Sequence, residues 1–329
     1  MSPSQTTDRT VWERLRWAWK RMTWPVWNYR HDRLRAPLRA LLPLVGTFLA
    51  LGIFQTAVRA RFEHPVRELL ELVGLAGILV AGIVVSARAV DRRPITEYGL
   101  SADRGWWRSL AVGGIVGTVV NAGALAVSLR AGWVSIVGYA HAPGVLPFVP
   151  ATLVAFALVS VAAAWEEFVF RATMLKNLAE GGERFLERWS TVLLALLLSS
   201  LVFAALHGGK VEQFSQYGYY LLAGVVLGGV YVLTGELAVP IGFHTFYNYT
   251  MGLFGLGVSQ SGPELVVLDL VGPDRWVGEE GLVHVVFAAV GGLLLLSYIR
   301  WREGNLSLHH GVTRWTPLGE SAASSDEDE

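Results

Sequence analysis

Residues 148–171 read FVPATLVAFALVSVAAAWEEFVFR, an apolar run that ends in two glutamates and an arginine. A helix that crosses a bilayer needs about 20 mostly apolar residues, and the part from Phe148 to Trp165 approaches that length. Glu166 and Glu167 therefore lie within or just past a predicted membrane helix. Charged side chains at the centre of such a helix cost about 2.5–3.5 kcal/mol each, so these two are candidates for a functional role.

The whole chain has the composition of a membrane protein. Of its 329 residues 53% are hydrophobic and 16% are charged, whereas about 25% are charged in ordinary soluble proteins. The 27 basic and 27 acidic side chains balance, which argues against a nucleic-acid-binding protein. There is no cysteine, so disulfides, thiolate metal sites and a cysteine nucleophile are excluded.

Runs without charged residues predict an all-α, polytopic integral membrane protein of about eight transmembrane helices with an intramembrane polar cavity. The seventh run is the least clear, because only a very short turn at Gly235 and Glu236 separates it from the sixth. The runs are Leu41–Val58, Leu72–Ala87, Ser109–Leu129, a fourth from Phe148 into Glu166, Trp189–Leu206, Phe214–Gly235, Leu237–Gly257 and Gly281–Ile299. Residues 131–147 precede the fourth run and are predicted to end in a loop.

Two segments flank the predicted membrane domain, which covers residues 41–301. Residues 1–40 form a basic arm rich in tryptophan, which is interpreted either as an interfacial helix on the cytoplasmic side or as an ordinary basic flank. Residues 302–329 form an acidic tail with a Ser- and Ala-rich end at Ser321–Glu329. Such a composition predicts a disordered tail.

The spacing of the acidic motif separates the two glutamates. Glu167 and Arg171 are four residues apart, with the acid first, which is the favourable order for an ion pair on one helix face. Adjacent helical residues are about 100° apart, so Glu166 is left to point elsewhere, towards a cavity.

Two further motifs place polar side chains in the predicted helices. His244 and Asn248 are four apart and share one face, and Phe203 and His207 have the same relation, which predicts that the phenyl ring packs beside the imidazole. Any one of the three motifs has an ordinary explanation, such as a hydrogen bond between two membrane helices. Together they favour a functional site.

The three motifs, in this order and at these spacings, resemble the CPBP family of intramembrane endopeptidases. The family name covers CAAX-protein processing and bacteriocin processing, and the family includes the Ras-converting enzyme. The motifs here are Glu166–Arg171, Phe203–His207 and His244–Asn248, and the lead-in Gly235–Ile241 also fits the family pattern. The resemblance covers about residues 148–256.

The resemblance implies a role for each motif residue. Glu166 and His207 would activate a water molecule, and His244 and Asn248 would stabilise the oxyanion. The supporting residues would be Glu167, Arg171 and Phe203. The implied function is hydrolysis of a peptide bond in a membrane-associated protein or peptide, with CAAX-type processing as one form of it.

The cofactor is left open by the sequence. Glu166, His207 and His244 are the ligands if zinc is bound, since two histidines and a glutamate can form a three-ligand open site. A metal-free mechanism uses the same residues. The zinc signature His-Glu-x-x-His is absent.

Two other classes of function remain as alternatives. One is a non-catalytic CPBP-like scaffold or immunity protein, which would keep its phenotype when Glu166 is replaced by alanine. The other is a proton-coupled transporter, because intramembrane glutamate and histidine also build proton relays. Against the transporter, the two halves of the chain do not repeat each other, as they do in many transporters.

The basic residues predict the orientation in the plasma membrane. With eight helices, 21 of the 27 Lys and Arg residues lie on the side of both termini, and the positive-inside rule places that side in the cytoplasm. A reporter fused after Glu329 is therefore expected in the cytoplasm, and one inserted between Gly257 and Gly281 outside. An external C-terminal reporter would contradict both the orientation and the even number of helices.

Overall fold

Long helices account for most of the computed structural model, which describes residues 11–63, 66–210, 216–257, 262–278 and 281–317. Two π-helical segments, Ser86–Asp91 and Phe168–Leu175, continue α3 and α5. The helices are α1 (Val11–Thr23), α2 (Ala36–Arg59), α3 (Val66–Val85), α4 (Arg104–Arg130), α5 (Phe148–Glu167), α6 (Lys176–Gly182), α7 (Arg188–Leu206), α8 (Tyr217–Thr234), α9 (Ala238–Leu253) and α10 (Leu282–Glu303).

Seven of the described helical segments are long and apolar enough to cross a membrane. The chain is therefore an all-α polytopic membrane protein, as its composition predicts. The predicted seventh helix, Leu237–Gly257, corresponds to α9, which has 16 residues and is shorter than these seven. Most residues of α9 are buried inside the bundle. The predicted sixth run begins at Phe214, which lies outside the described residues.

Small residues bring α4 and α9 into backbone contact. A Cβ atom added at Gly242 of α9 would lie 2.0 Å from the carbonyl oxygen of Leu110, and one at Gly113 of α4 would lie 2.4 Å from that of Val239. Membrane helices pack closely where glycine lets their backbones approach. Asn121 Nδ2 also donates a hydrogen bond of 2.7 Å to the carbonyl oxygen of Tyr247. These contacts hold α9, the helix that carries the His-x-x-x-Asn motif, in place.

Two short antiparallel ladders accompany the helices. β3 (Val134–His141) pairs with β4 (Glu264–Leu270), and β1 (Trp27–Asn28) pairs with β2 (Arg33–Leu34). The register of the first ladder shifts between Ile136 and Gly138. No strand was predicted within residues 131–147. The partner of β3 lies far along the chain, and strand formation depends strongly on the neighbouring strand.

Part of the predicted tail packs against the bundle. Val312 is buried, the His309 N–H donates to the carbonyl oxygen of Val232 at 2.9 Å, and Lys176 Nζ donates to that of Gly311 at 2.6 Å. The prediction of a disordered tail over the whole of 302–329 therefore does not hold for residues 309–312, because these backbone and apolar groups find partners. Ser321–Glu329 and residues 1–10 lie outside the described residues.

The close approach of α4 and α9 can be tested with a pair of alanine substitutions. Gly242→Ala places a methyl group against a backbone carbonyl, which cannot move aside, and we expect a loss of about 1–3 kcal/mol or more in stability. Gly229→Ala is the control, since a Cβ there meets no atom within 4 Å. Thermal unfolding in detergent should show a lower Tm for the first variant only. An unchanged Tm for Gly242→Ala would contradict the packing.

Candidate active site

The acidic motif lies where α5 changes from an α-helix to a π-helix. α5 ends at Glu167, and the next eight residues, Phe168–Leu175, are π-helical and all buried. Such segments often occur at functional sites. The Glu167 side chain is fully buried, whereas the Glu166 side chain is 25% exposed. The two adjacent carboxylates therefore lie in different surroundings, as the helical spacing predicts.

Glu167 is the centre of a buried group of charges. Its Oε1 atom lies 3.1 Å from Arg171 Nη1, in the ion pair that the spacing predicts, and both side chains are inaccessible to solvent. The same oxygen lies 2.7 Å from Nδ1 of His244, which is a hydrogen bond. The Arg171 guanidinium also stacks on the ring of Phe203 at 4.7 Å. The first motif is thus connected to the third through Glu167 and to the second through Arg171.

His244 lies between the two glutamates. Because a carboxylate accepts hydrogen bonds, the Nδ1–H group of His244 donates a hydrogen bond to Glu167, and this bond orients the ring. The second ring nitrogen, Nε2, then lies 3.8 Å from Glu166 Oε2. The spacing along the chain predicts only the ion pair of Glu167 with Arg171. It does not predict the contact with His244, because that contact joins two helices that are distant in sequence.

His207 lies among aromatic rings. Its ring centroid is 4.4 Å from that of Phe203, which agrees with the predicted packing, and 4.5 Å from that of Tyr220, on which it stacks. His207 Nδ1 is 2.8 Å from the carbonyl oxygen of Phe203. A carbonyl only accepts, so Nδ1 of His207 carries the proton of this bond.

A cavity of about 50 Å³ brings the second and third motifs together. That is room for a few water molecules, since one needs about 10–15 Å³ of such space. Asn248 is exposed, and Glu166 is not among the described side chains that line the cavity. The predicted site residues that line it are Phe203, His207, His244 and Asn248.

Three tyrosines in the cavity wall were missed by the sequence analysis. Tyr219, Tyr220 and Tyr247 line the cavity together with the motif residues. The hydroxyl of Tyr219 donates to that of Tyr247 at 2.7 Å. A signal was present, because Tyr247 lies three residues after His244, on nearly the same helix face.

The predicted zinc ligands do not assemble in this structure. Within the described ranges no group of three or more His, Asp or Glu side chains is placed to hold a metal ion. Glu166, His207 and His244 therefore do not fit a three-ligand zinc site as arranged, since catalytic zinc requires three protein ligands at about 2 Å.

The segment that contains the site residues matches a known protein family. Residues 147–250 match the family described as type II CAAX prenyl endopeptidase Rce1-like. The matched segment is referred to as the Rce1-like domain. It runs from the start of α5 through most of α9, and all the predicted site residues lie within it.

The match to the Rce1-like domain confirms the resemblance that the three motifs carry. At the level of the family it supports a CAAX-type intramembrane endopeptidase. The comparisons with curated proteins and with solved structures gave no match.

Removal of one charge from the buried pair of Glu167 and Arg171 is expected to lower the stability of the protein. Glu167→Gln leaves the Arg171 guanidinium uncompensated in a site without solvent, and breaking such a pair costs about 3–5 kcal/mol. Combining it with Arg171→Met removes both charges and should restore part of the stability. Tm and the yield of folded protein measure both effects.

A matched control for this prediction is Glu68→Gln. Glu68 pairs with Arg67 at 2.6 Å, but both side chains are exposed by more than two fifths, and exposed pairs contribute only about 0–1 kcal/mol. If Glu167→Gln proves as stable as Glu68→Gln, the buried pair does not have the structural role assigned to it.

Proposed function

We propose that the Rce1-like domain is an intramembrane endopeptidase that hydrolyses a peptide bond in membrane-associated proteins or peptides with a water activated by Glu and His. The supporting observation is the position of His244, which bonds Glu167, faces Glu166 and lines the cavity that also contains His207 and Asn248. An acid, two imidazoles and an amide from three helices thus converge within an apolar bundle.

Glu166 is assigned as the general base. The Glu167 side chain is buried and its Oε1 atom is engaged by His244 and Arg171, whereas the Glu166 side chain is 25% exposed. Glu166 takes a proton from water, and the hydroxide attacks the carbonyl carbon of the scissile bond. His207 helps to position this water.

His244 and Asn248 are assigned to the oxyanion. The negative charge that develops on the carbonyl oxygen needs donors that are already in place. The Asn248 amide can donate directly, and His244 can donate through Nε2 when its ring is protonated.

The reaction ends with transfer of the proton to the leaving group. Glu166, now a carboxylic acid, gives its proton to the amide nitrogen while the carbon–nitrogen bond breaks. The products are a carboxylic acid, which keeps the second proton of the water, and an amine; in water they ionise to a carboxylate and an ammonium group. Glu166 returns to its ionised form. Each of the chain's groups is thus restored after one turnover.

The substrate class follows from the placement of the site. A cavity inside a bundle of membrane helices is reached from the bilayer or from its surface, so the partner is a membrane-associated protein or peptide, with a CAAX-type prenylated tail as the first candidate. We place the protein in the plasma membrane with both termini in the cytoplasm, on the distribution of Lys and Arg.

A mutational series on the purified full chain tests the mechanism. In liposomes with a prenylated CAAX-type peptide, Glu166→Gln keeps the shape of the side chain but removes the proton acceptor, so turnover should fall by about 10²–10⁴-fold without a change in Tm. Glu187→Gln, at an exposed glutamate outside the site, is the matched control. The variant His207→Ala should resemble Glu166→Gln.

The remaining members of the series separate the roles. The double variant of Glu166 and His207 should be little worse than either single one, because groups that act together are not additive. Asn248→Ala should lower turnover by about 10²–10³-fold, the usual effect of one oxyanion donor. Near-normal cleavage by Glu166→Gln would show that the base is wrongly assigned. Elemental analysis and activity after exhaustive chelation test for zinc in the same preparation.

A further inference from the structure

A second cavity, which none of the active-site motif residues lines, lies where α2 begins and α6 ends. It has a volume of about 650 Å³ and is formed by parts of segments 28–39, 178–185 and 313–315. Its charged lining is mostly basic, with two glutamates, Glu180 and Glu183, and one histidine, His31. The arginines that line it are Arg30, Arg33, Arg35, Arg39 and Arg184.

Two buried hydrogen-bond donors in this cavity have no acceptor. Arg33 is 2% exposed, and its Nε atom has no hydrogen-bond partner within the described ranges. The same holds for Nε1 of Trp315, whose ring stacks on the Arg33 guanidinium at 3.8 Å. Both groups only donate, and buried donors without an acceptor are costly. A ligand that satisfies them must supply acceptor atoms.

The inner wall of the cavity, together with Arg93 and Asp91 behind it, has an excess of positive charge. Glu180 accepts hydrogen bonds from Arg33, Arg39 and Arg93, and Asp91 is paired with Arg39 at 2.9 Å and with Arg93 at 3.1 Å. Three buried guanidinium groups are thus compensated by two carboxylates. Burial lowers the pKa of Arg33 to about 10, so this side chain is still charged at neutral pH.

The rim of the cavity adds further cations. Arg30 and Arg184 are exposed and form no ion pair with any residue that the structure describes. Glu183, also at the rim, is the one acidic side chain there besides Glu180 among the lining residues. The Arg35 guanidinium stacks on Trp24 at 4.2 Å. The rim therefore favours an anion.

We propose that this cavity binds a phosphate group, carried either by the headgroup of an anionic phospholipid or by a soluble phosphate. Arginine forks match the oxygens of phosphate in pairs, which explains the choice of phosphate over a simple halide. The cavity lies at the start of α2, a helix long enough to cross the membrane, which corresponds to the headgroup level. Trp17, Trp19 and Trp24 are exposed nearby in the chain, and tryptophan favours this level.

The phosphate arm of the test uses the full chain in neutral detergent, with inorganic phosphate titrated by calorimetry at constant ionic strength. Arg30→Gln combined with Arg184→Gln should raise the Kd by about tenfold, because it removes two exposed charge contacts with the anion. Arg104→Gln with Arg108→Gln changes the net charge equally at exposed positions outside the cavity, and should leave the Kd unchanged.

A second variant tests the buried donor. Trp315→Phe removes the indole N–H but keeps an aromatic ring against Arg33, and it should also weaken binding. Trp301→Phe, at a tryptophan that is 80% exposed outside the cavity, is its control. Tm is measured for each variant, so a failure to fold is separated from a loss of phosphate binding.

The lipid arm uses nanodiscs of phosphatidylcholine with and without phosphatidic acid, followed by native mass spectrometry. The site is supported, with a lipid as the source of the phosphate group, if the wild type and the Arg104→Gln, Arg108→Gln control retain phosphatidic acid and the Arg30→Gln, Arg184→Gln variant does not. Binding of inorganic phosphate with the same pattern supports the site with a soluble source. If neither ligand binds, or if both bind equally to all variants, the proposal is wrong.

Discussion

The buried carboxylate of Glu167 is the constraint on which the site depends. A charge without solvent must be compensated, and here Arg171 supplies the opposite charge from the next helical turn while His244 supplies a hydrogen bond from another helix. The first contact stabilises the π-helical segment after α5. The second connects α5 to α9 and orients the imidazole, so that Nε2 of His244 faces Glu166. Stability and proposed chemistry therefore depend on the same group.

The position of α9 follows from the glycines at its contact with α4. Gly242 and Gly113 allow α4 and α9 to approach until their backbones touch, and Asn121 then bonds the backbone of α9. A short, buried helix held on one side by α4 presents its other polar residues to α5 and α8. This explains how a helix of 16 residues can carry two of the proposed catalytic side chains on one face.

The cavity of the proposed active site and the basic cavity differ in the way their polar groups are compensated. In the proposed active site, the buried carboxylate of Glu167 is compensated by the Arg171 guanidinium and by a hydrogen bond from His244. In the basic cavity, guanidinium groups exceed carboxylates and two donors lack acceptors. That surplus suits binding of an anion. The Rce1-like domain matched at residues 147–250 contributes only the α6 side of this basic cavity, and the N-terminal arm and residues 313–315 complete it.

The sequence by itself determined the features that depend on neighbours along the chain. Apolar runs determined the membrane class and most helix positions, and the four-residue spacing determined the ion pair of Glu167 with Arg171 and the packing of Phe203 on His207. The roles of the motif residues came from the family resemblance. Only the tertiary structure decided which helices meet.

Contacts between distant segments were not readable from local spacing. The bond from His244 to Glu167, the tyrosines of the cavity, the pairing of β3 with β4 and the stacking of Trp315 on Arg33 all join parts of the chain that are far apart in sequence. The physical reason is that helix periodicity determines which side chains share a face, whereas the partner of that face is chosen by the packing of the whole bundle.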